Sequence, residues 1–183
     1  VVLGCLGTLE PAKGHLQAIE AMPTIRQSLR AHLLIAGEGP LRAQLSRRIQ
    51  ALRFADVVQL LGRVDQPEEF FAAIDIFLFP AVAEGLGTAL LLAMAHQLPV
   101  IALAGTAAAE VIEDGESGRL VLSRHPDTIA GAVVYLARHR DLAAQFAAKA
   151  RATIAHKFTA DHMVEQTLEV YQTLLARRGR PGA

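Results

Sequence analysis

The chain has 183 residues, with 18 acidic and 18 basic side chains, and 52% of it is hydrophobic against 20% charged. That size and balance suit one domain with a full hydrophobic core and argue against disorder. Zero formal charge argues against bulk attraction to nucleic acid or anionic lipid, and no apolar run is long enough to span a bilayer. The single cysteine, Cys5, lies within an apolar run and has no internal partner, which favours a reducing compartment. The chain opens on Val1-Val2-Leu3 without an initiator Met, and reads as a piece of a longer protein.

In chain order, short apolar runs alternate with segments of helical spacing. Residues 1–6, 31–36, 57–61, 76–79, 100–103 and 118–122 read as strands. Residues 14–29, part of 40–52, 67–73, 88–97 and 107–112 read as helices between them. Near-continuous apolar strands alternating with helices predict a parallel sheet covered on both faces, an α/β Rossmann-like fold. Pro126 opens a further helix with Ile129, Val133 and Leu136 on one face. Leu142, Phe146, Ala150 and Ile154 stripe the next, and Val164, Leu168, Tyr171 and Leu175 the last. All three are expected as cover helices with their stripes packed inward, so that residues 1–125 form the α/β core and 126–178 its cover. Arg177, Arg178 and Arg180 then read as a solvated basic end.

Ligands of such sheets bind beyond the carboxyl ends of the strands, and the loops there are the informative ones. Glu84-Gly85-Leu86-Gly87 joins the strand Ile76–Phe79 to an apolar helix. An acid and two glycines before a helix N-terminus let the backbone approach a ligand, and the exposed N–H groups favour an anion such as phosphate; a plain tight turn is the other reading of the same residues. Lys13-Gly14 after the first strand offers a point charge beside a second helix start, and His15 reads as a partly exposed helix residue. Gly37-Glu38-Gly39-Pro40 and Gly62-Arg63-Val64 occupy the same rim, as does Gly105-Thr106. These loops are expected to outline a cleft.

Glu84-Gly85-Leu86-Gly87 followed by Leu-Leu-x-Ala-Met-Ala, then Pro99-Val100-Ile101-Ala102, resembles the donor-site signature of the retaining GT-B glycosyltransferases, family 4, the glycosyl transferases group 1. Lys13-Gly14, the Gly37-to-Pro40 turn and Glu110-Val111-Ile112 running on to Gly118 are similar to that family's other motifs, in the same order, from about Val1 to Tyr171. The resemblance implies the second half of a two-domain enzyme, the half that binds a nucleotide diphosphate sugar, with the acceptor domain outside this chain. It implies catalytic roles for Glu84, which orients the sugar, and Lys13, which meets the diphosphate. Contacts to the donor are implied for Lys13, Gly37, Glu38, Gly39, Arg63, Val64, Gly85, Leu86, Gly87, Thr88 and the position of Leu92. Glu110 is assigned to the fold. Two departures stand out: members carry an acid for the ribose where this chain has Leu92, and many carry an arginine where it has Thr8.

The resemblance further implies transfer to a glycan or lipid acceptor through the other domain, as in cell-envelope polysaccharide synthesis, and no metal or other cofactor. The location it implies is cytoplasmic, either free or peripheral at the inner face of the membrane. The seven histidines are scattered without a paired zinc pattern, and neither a hydrolase serine elbow nor a Walker lysine loop is present. Two alternatives stay open: a non-catalytic binding module that has lost the donor, and a nucleotide-sugar epimerase of the same architecture.

Overall fold

A computed structural model describes residues 1–178. Six parallel strands form one sheet: β1 (Val2–Leu6), β2 (His32–Ala36), β3 (Val58–Gly62), β4 (Ile76–Phe79), β5 (Val100–Leu103) and β6 (Arg119–Val121). Their order across the sheet is β3-β2-β1-β4-β5-β6. The chain therefore builds outward from β1 in one direction, returns, and builds outward from β4 in the other. That reversal leaves a crevice between the carboxyl ends of β1 and β4, where the connections diverge to opposite sides.

The helices are α1 (His15–Ser28), α2 (Arg42–Ala51), α3 (Pro67–Ala72), α4 (Thr88–Ala95), α5 (Ala108–Val111), α6 (Pro126–Arg138), α7 (Arg140–Lys157) and α8 (Ala160–Arg178). One core lies between the sheet and α1, α2 and α6, around Leu3, Ile19, Met22, Ile35 and Leu136. The other lies between the sheet and α3, α4 and α5, around Phe71, Phe77, Phe79, Leu90 and Met94, and Ala150 of α7 completes it. Strands β4 and β5 are buried at every position, which is why both read as unbroken apolar runs rather than alternating ones. Gly4 sits where a Cβ would come within 2.9 Å of the Phe70 ring. The thiol of Cys5 is fully buried, and loss of water pushes its pKa up to about 12. It is a packing residue.

The cover-helix expectation needs one correction. Helices α6 and α7 bury their stripes, Ile129, Val133 and Leu136 on α6 and Phe146 and Ala150 on α7. Helix α8 does not: every side chain from 163 to 176 is exposed, including Val164, Leu168, Tyr171 and Leu175. By then helices lie on both faces of the sheet, and α7 already lies against α4. The basic run at Arg177, Arg178 and Arg180 falls outside the residues whose side chains are described. Among the described residues no helix is long and apolar enough to cross a membrane.

Candidate functional site

Two loops flank the crevice, one from each strand at the switch point. After β1 the chain passes through Gly7 and a short 3-10 turn, Pro11–Lys13, into α1. After β4 it runs through residues 80–87 into α4. The loops are tied together by the Val82 amide, which donates to the Ala12 carbonyl at 2.9 Å, and by an ion pair between Lys13 Nζ and Glu84 Oε1. Both side chains are about one-fifth exposed, so the pair is reachable from the crevice. Gly87 caps α4 with φ of 72°, and a Cβ there would lie 2.9 Å from the Phe79 ring. Only glycine fits that corner without strain. It brings the free N–H groups of the first turn of α4 to the same rim as Lys13.

A cleft of about 410 Å³ adjoins this pair. Leu6, Gly7 and Thr8 from the end of β1 form one side, and Ala36, Gly37 and Glu38 from the end of β2 continue it. Arg63, Val64 and Pro67, after β3, close the far end, and Leu92 of α4 forms the near side. The stem of Lys13 crosses Gly7, its Cδ lying 3.8 Å from where a Cβ on that glycine would be. Ion pair and cleft are thus contiguous.

Of the residues singled out from the sequence, Gly37, Glu38, Arg63, Val64 and Leu92 line the cleft, and Lys13 and Glu84 stand paired beside it. Gly85, Leu86 and Thr88 are exposed at the start of α4. Gly39 is not in the cleft wall. A Cβ there would sit 2.7 Å from the Leu9 amide, so its place is to let the β2 loop pack on the β1 loop. Arg63 points outward, its side chain 79% exposed and bonded to Asp65 at 3.0 Å. Gly105 and Thr106 do not line the cleft either; Thr106 Oγ1 closes its own turn on the Leu103 carbonyl. Glu110 is exposed in the first turn of α5. The Ser117 hydroxyl, buried nearby, accepts from the Glu113 amide.

His15 is the residue that sequence reasoning misplaced. It is 3% exposed rather than partly exposed. Its Nε2 lies 3.1 Å from the Thr8 carbonyl, which makes Nε2 the protonated nitrogen and leaves Nδ1 buried without a partner among the described residues. Burial holds its pKa below the usual 6.5, and the nearby Lys13 charge adds to that. A helix-opening histidine after glycine carries no sequence signal for burial. The strand-end walls Leu6 and Ala36 and the helix-opening Pro67 carry no sequence signal either, because small and apolar residues there look the same whether or not they wall a cleft. A larger cavity of about 550 Å³, with His96, Gln97 and Arg140 in its lining, opens at the amino ends of β1 and β4. That is the wrong edge of the sheet for ligands of this architecture.

The parallel sheet, its switch point and the paired loops define an α/β domain of the GT-B glycosyltransferase type. The chain belongs to the glycosyl transferases group 1 family, whose model matches residues 1–139. It is 34% identical over 157 residues to a GDP-mannose-dependent alpha-(1-6)-phosphatidylinositol monomannoside mannosyltransferase of Mycobacterium tuberculosis, covering 80% of this chain and 41% of that protein. It is 29% identical over 177 residues to an uncharacterized glycosyltransferase of Methanocaldococcus jannaschii, covering 96% of this chain and 45% of the relative. The chain thus spans less than half the length of these relatives. Among solved structures it superposes on Anabaena HepE in complex with UDP and glucose with a TM-score of 0.86 at 23% identity, over 94% of this chain and 48% of that one. On the C-terminal domain of a Francisella tularensis glycosyl transferase group 1 family protein, LpcC, the TM-score is 0.78 at 24% identity, covering 87% and 86% of the two chains.

Proposed function

We propose that this chain is the donor-binding domain of a retaining family 4 glycosyltransferase, holding a nucleotide diphosphate sugar for transfer to a glycan or lipid acceptor bound by another domain. The observation that supports this most is the Lys13–Glu84 pair at the switch point, beside the N-terminus of α4 and continuous with a nucleoside-sized cleft. The diphosphate bridges Lys13 and the amides of residues 85–88; the nucleoside extends into the cleft, and the sugar turns toward Glu84. In transfer, the bond between the anomeric carbon and the diphosphate oxygen breaks, a bond to the acceptor's hydroxyl oxygen forms, and the proton of that hydroxyl passes to the leaving diphosphate. Negative charge grows on the leaving diphosphate, where a fixed cation and preorganised N–H groups stabilise it most. Glu84 accepts hydrogen bonds from sugar hydroxyls once the diphosphate has drawn Lys13 away from it. The reading takes the nucleotide sugar as substrate and requires no metal, because Lys13 and α4 supply the positive charge. A cytoplasmic location, with or without a peripheral membrane seat, belongs to the same proposal, as does a role in cell-envelope polysaccharide synthesis.

The named relatives bear transferase names, which favours transfer over epimerisation. Calorimetric titration of the chain with UDP, GDP, ADP and dTDP tests the reading. Binding of at least one is expected, weakened by Lys13→Ala. Silence from all four would turn the assignment toward a non-catalytic module that keeps only the fold.

A further inference from the structure

Thr8 lines the cleft, and its carbonyl is held from two sides. The Glu10 amide donates to it at 2.9 Å, and His15 Nε2 donates at 3.1 Å. Both lone pairs of that oxygen are engaged inside the loop. The donating ring is 3% exposed, so the oxygen faces the loop interior rather than the crevice, where its negative end would oppose an anion. His15 reaches this carbonyl because it opens α1. Side chains lean toward the N-terminus of their helix, and the ring of the first residue therefore folds back under the preceding loop. Its hydrogen bond closes residues 8–15 into a ring. Lys13 stands within that ring as the last residue of the 3-10 turn, its own amide donating to the Glu10 carbonyl at 3.1 Å.

An apolar side chain of similar size would fill the His15 site with less loss of hydration. What the imidazole adds is the Nε2–H donor. Burial, with the Lys13 charge beside it, favours the neutral ring, and the Thr8 carbonyl selects the tautomer protonated on Nε2. We propose that His15 is a positioning residue for the donor: by locking the Thr8 carbonyl inward it fixes the turn that aims Lys13 at the diphosphate. This rests on the donor-binding reading above and adds to it the residue through which Lys13 is held. Buried as it is, His15 touches no ligand and acts through Lys13 alone.

Glutamine carries its amide nitrogen where Nε2 stands and asparagine where Nδ1 stands, so the two variants test one donor at one place. The probe is whichever of UDP, GDP, ADP and dTDP the unsubstituted chain binds most tightly in calorimetric titration. His15→Asn is expected to weaken its binding about tenfold, and His15→Gln to restore an affinity close to that of the wild type. In a Lys13→Ala chain, His15→Asn is expected to cause no further loss, because the group it aims is gone. Equal losses for Asn and Gln, or losses that add in the double variant, overturn the positioning role while leaving the donor reading intact. Should His15→Asn fail to fold, the imidazole nitrogen chemical shifts of the unsubstituted chain decide: protonation on Nε2 is expected, and protonation on Nδ1 overturns the proposal. Silence of the unsubstituted chain toward all four nucleotides overturns the donor reading and the positioning role together.

Discussion

Each side chain of the Lys13–Glu84 pair is only about one-fifth exposed, so the cost of taking the two charges out of water offsets much of their attraction and the pair adds little net to folding. That is what makes it useful at a binding site. A diphosphate carries more charge than one carboxylate and can take Lys13 without a large cost to the fold. Lys13→Ala is therefore expected to weaken nucleoside diphosphate binding by roughly 10- to 100-fold, the worth of one charge-assisted hydrogen bond at about 1.5–3 kcal/mol, with a lower melting temperature because the partly buried Glu84 loses its partner. Glu84→Gln should leave the affinity for the bare nucleoside diphosphate intact or raised, since Lys13 is released, while reducing the extra affinity that the sugar adds. Titrations with and without the sugar separate the two effects.

His15 carries a pH dependence of calculable sign. Its pKa is depressed in the folded state by burial above all, so as pH falls through 6.5 the unfolded chain takes up the proton first. Its contribution to stability is full above that pH and is lost progressively below it. Urea midpoints measured at pH 7.5 and pH 5.5 should fall less for His15→Gln, whose amide can still donate to the Thr8 carbonyl, than for the wild type. An equal fall in both would show that His15 does not carry this dependence.

At the scale of elements, the contrast lies between helices that bury their stripes and the one that does not. Leu136 of α6 is fully buried, and Leu136→Ala is expected to cost about 2–5 kcal/mol in chemical denaturation. Leu168 of α8 is half exposed, and Leu168→Ser should change the stability of this chain by less than about 0.5 kcal/mol. The loops between elements are held more tightly than their glycines suggest. Gly37 has φ of 141°, and a Cβ there would collide with the Gly7 carbonyl oxygen. Gly37→Ala is expected to destabilise by roughly 2–3 kcal/mol and to spoil the cleft wall with it.

Sequence and structure agree best where a single physical cause acts. The strands were legible because burial on both faces makes each an unbroken apolar run, and their observed limits lie within one or two residues of expectation. The α6 start was legible because Pro126 sits at its first turn. The stripe on α8 was legible as apolar, but a stripe says nothing about what it meets. Periodicity reports which face is apolar, and only the packing of the other elements decides whether anything covers it. The same limit hid the burial of His15, whose neighbour Gly14 packs on the Pro80 loop far along the chain.

For the whole molecule, the strand order is what brings residues 13 and 84 together across 71 positions of sequence. Reversal of the connections at β1 and β4 opens the crevice, and every residue placed at the donor follows from it. The competing surface is the larger cavity at the amino edge, around His96, Gln97 and Arg140. Backbone amide shifts recorded while the 19.6 kDa chain is titrated with a nucleoside diphosphate distinguish the two edges directly. Movement is expected in residues 7–14, 37–38 and 85–88, with residues 96–97 and 140 still. Shifts confined to residues 96–97 and 140, with the Lys13 and Glu84 loops silent, would contradict the placement of the donor at the switch point.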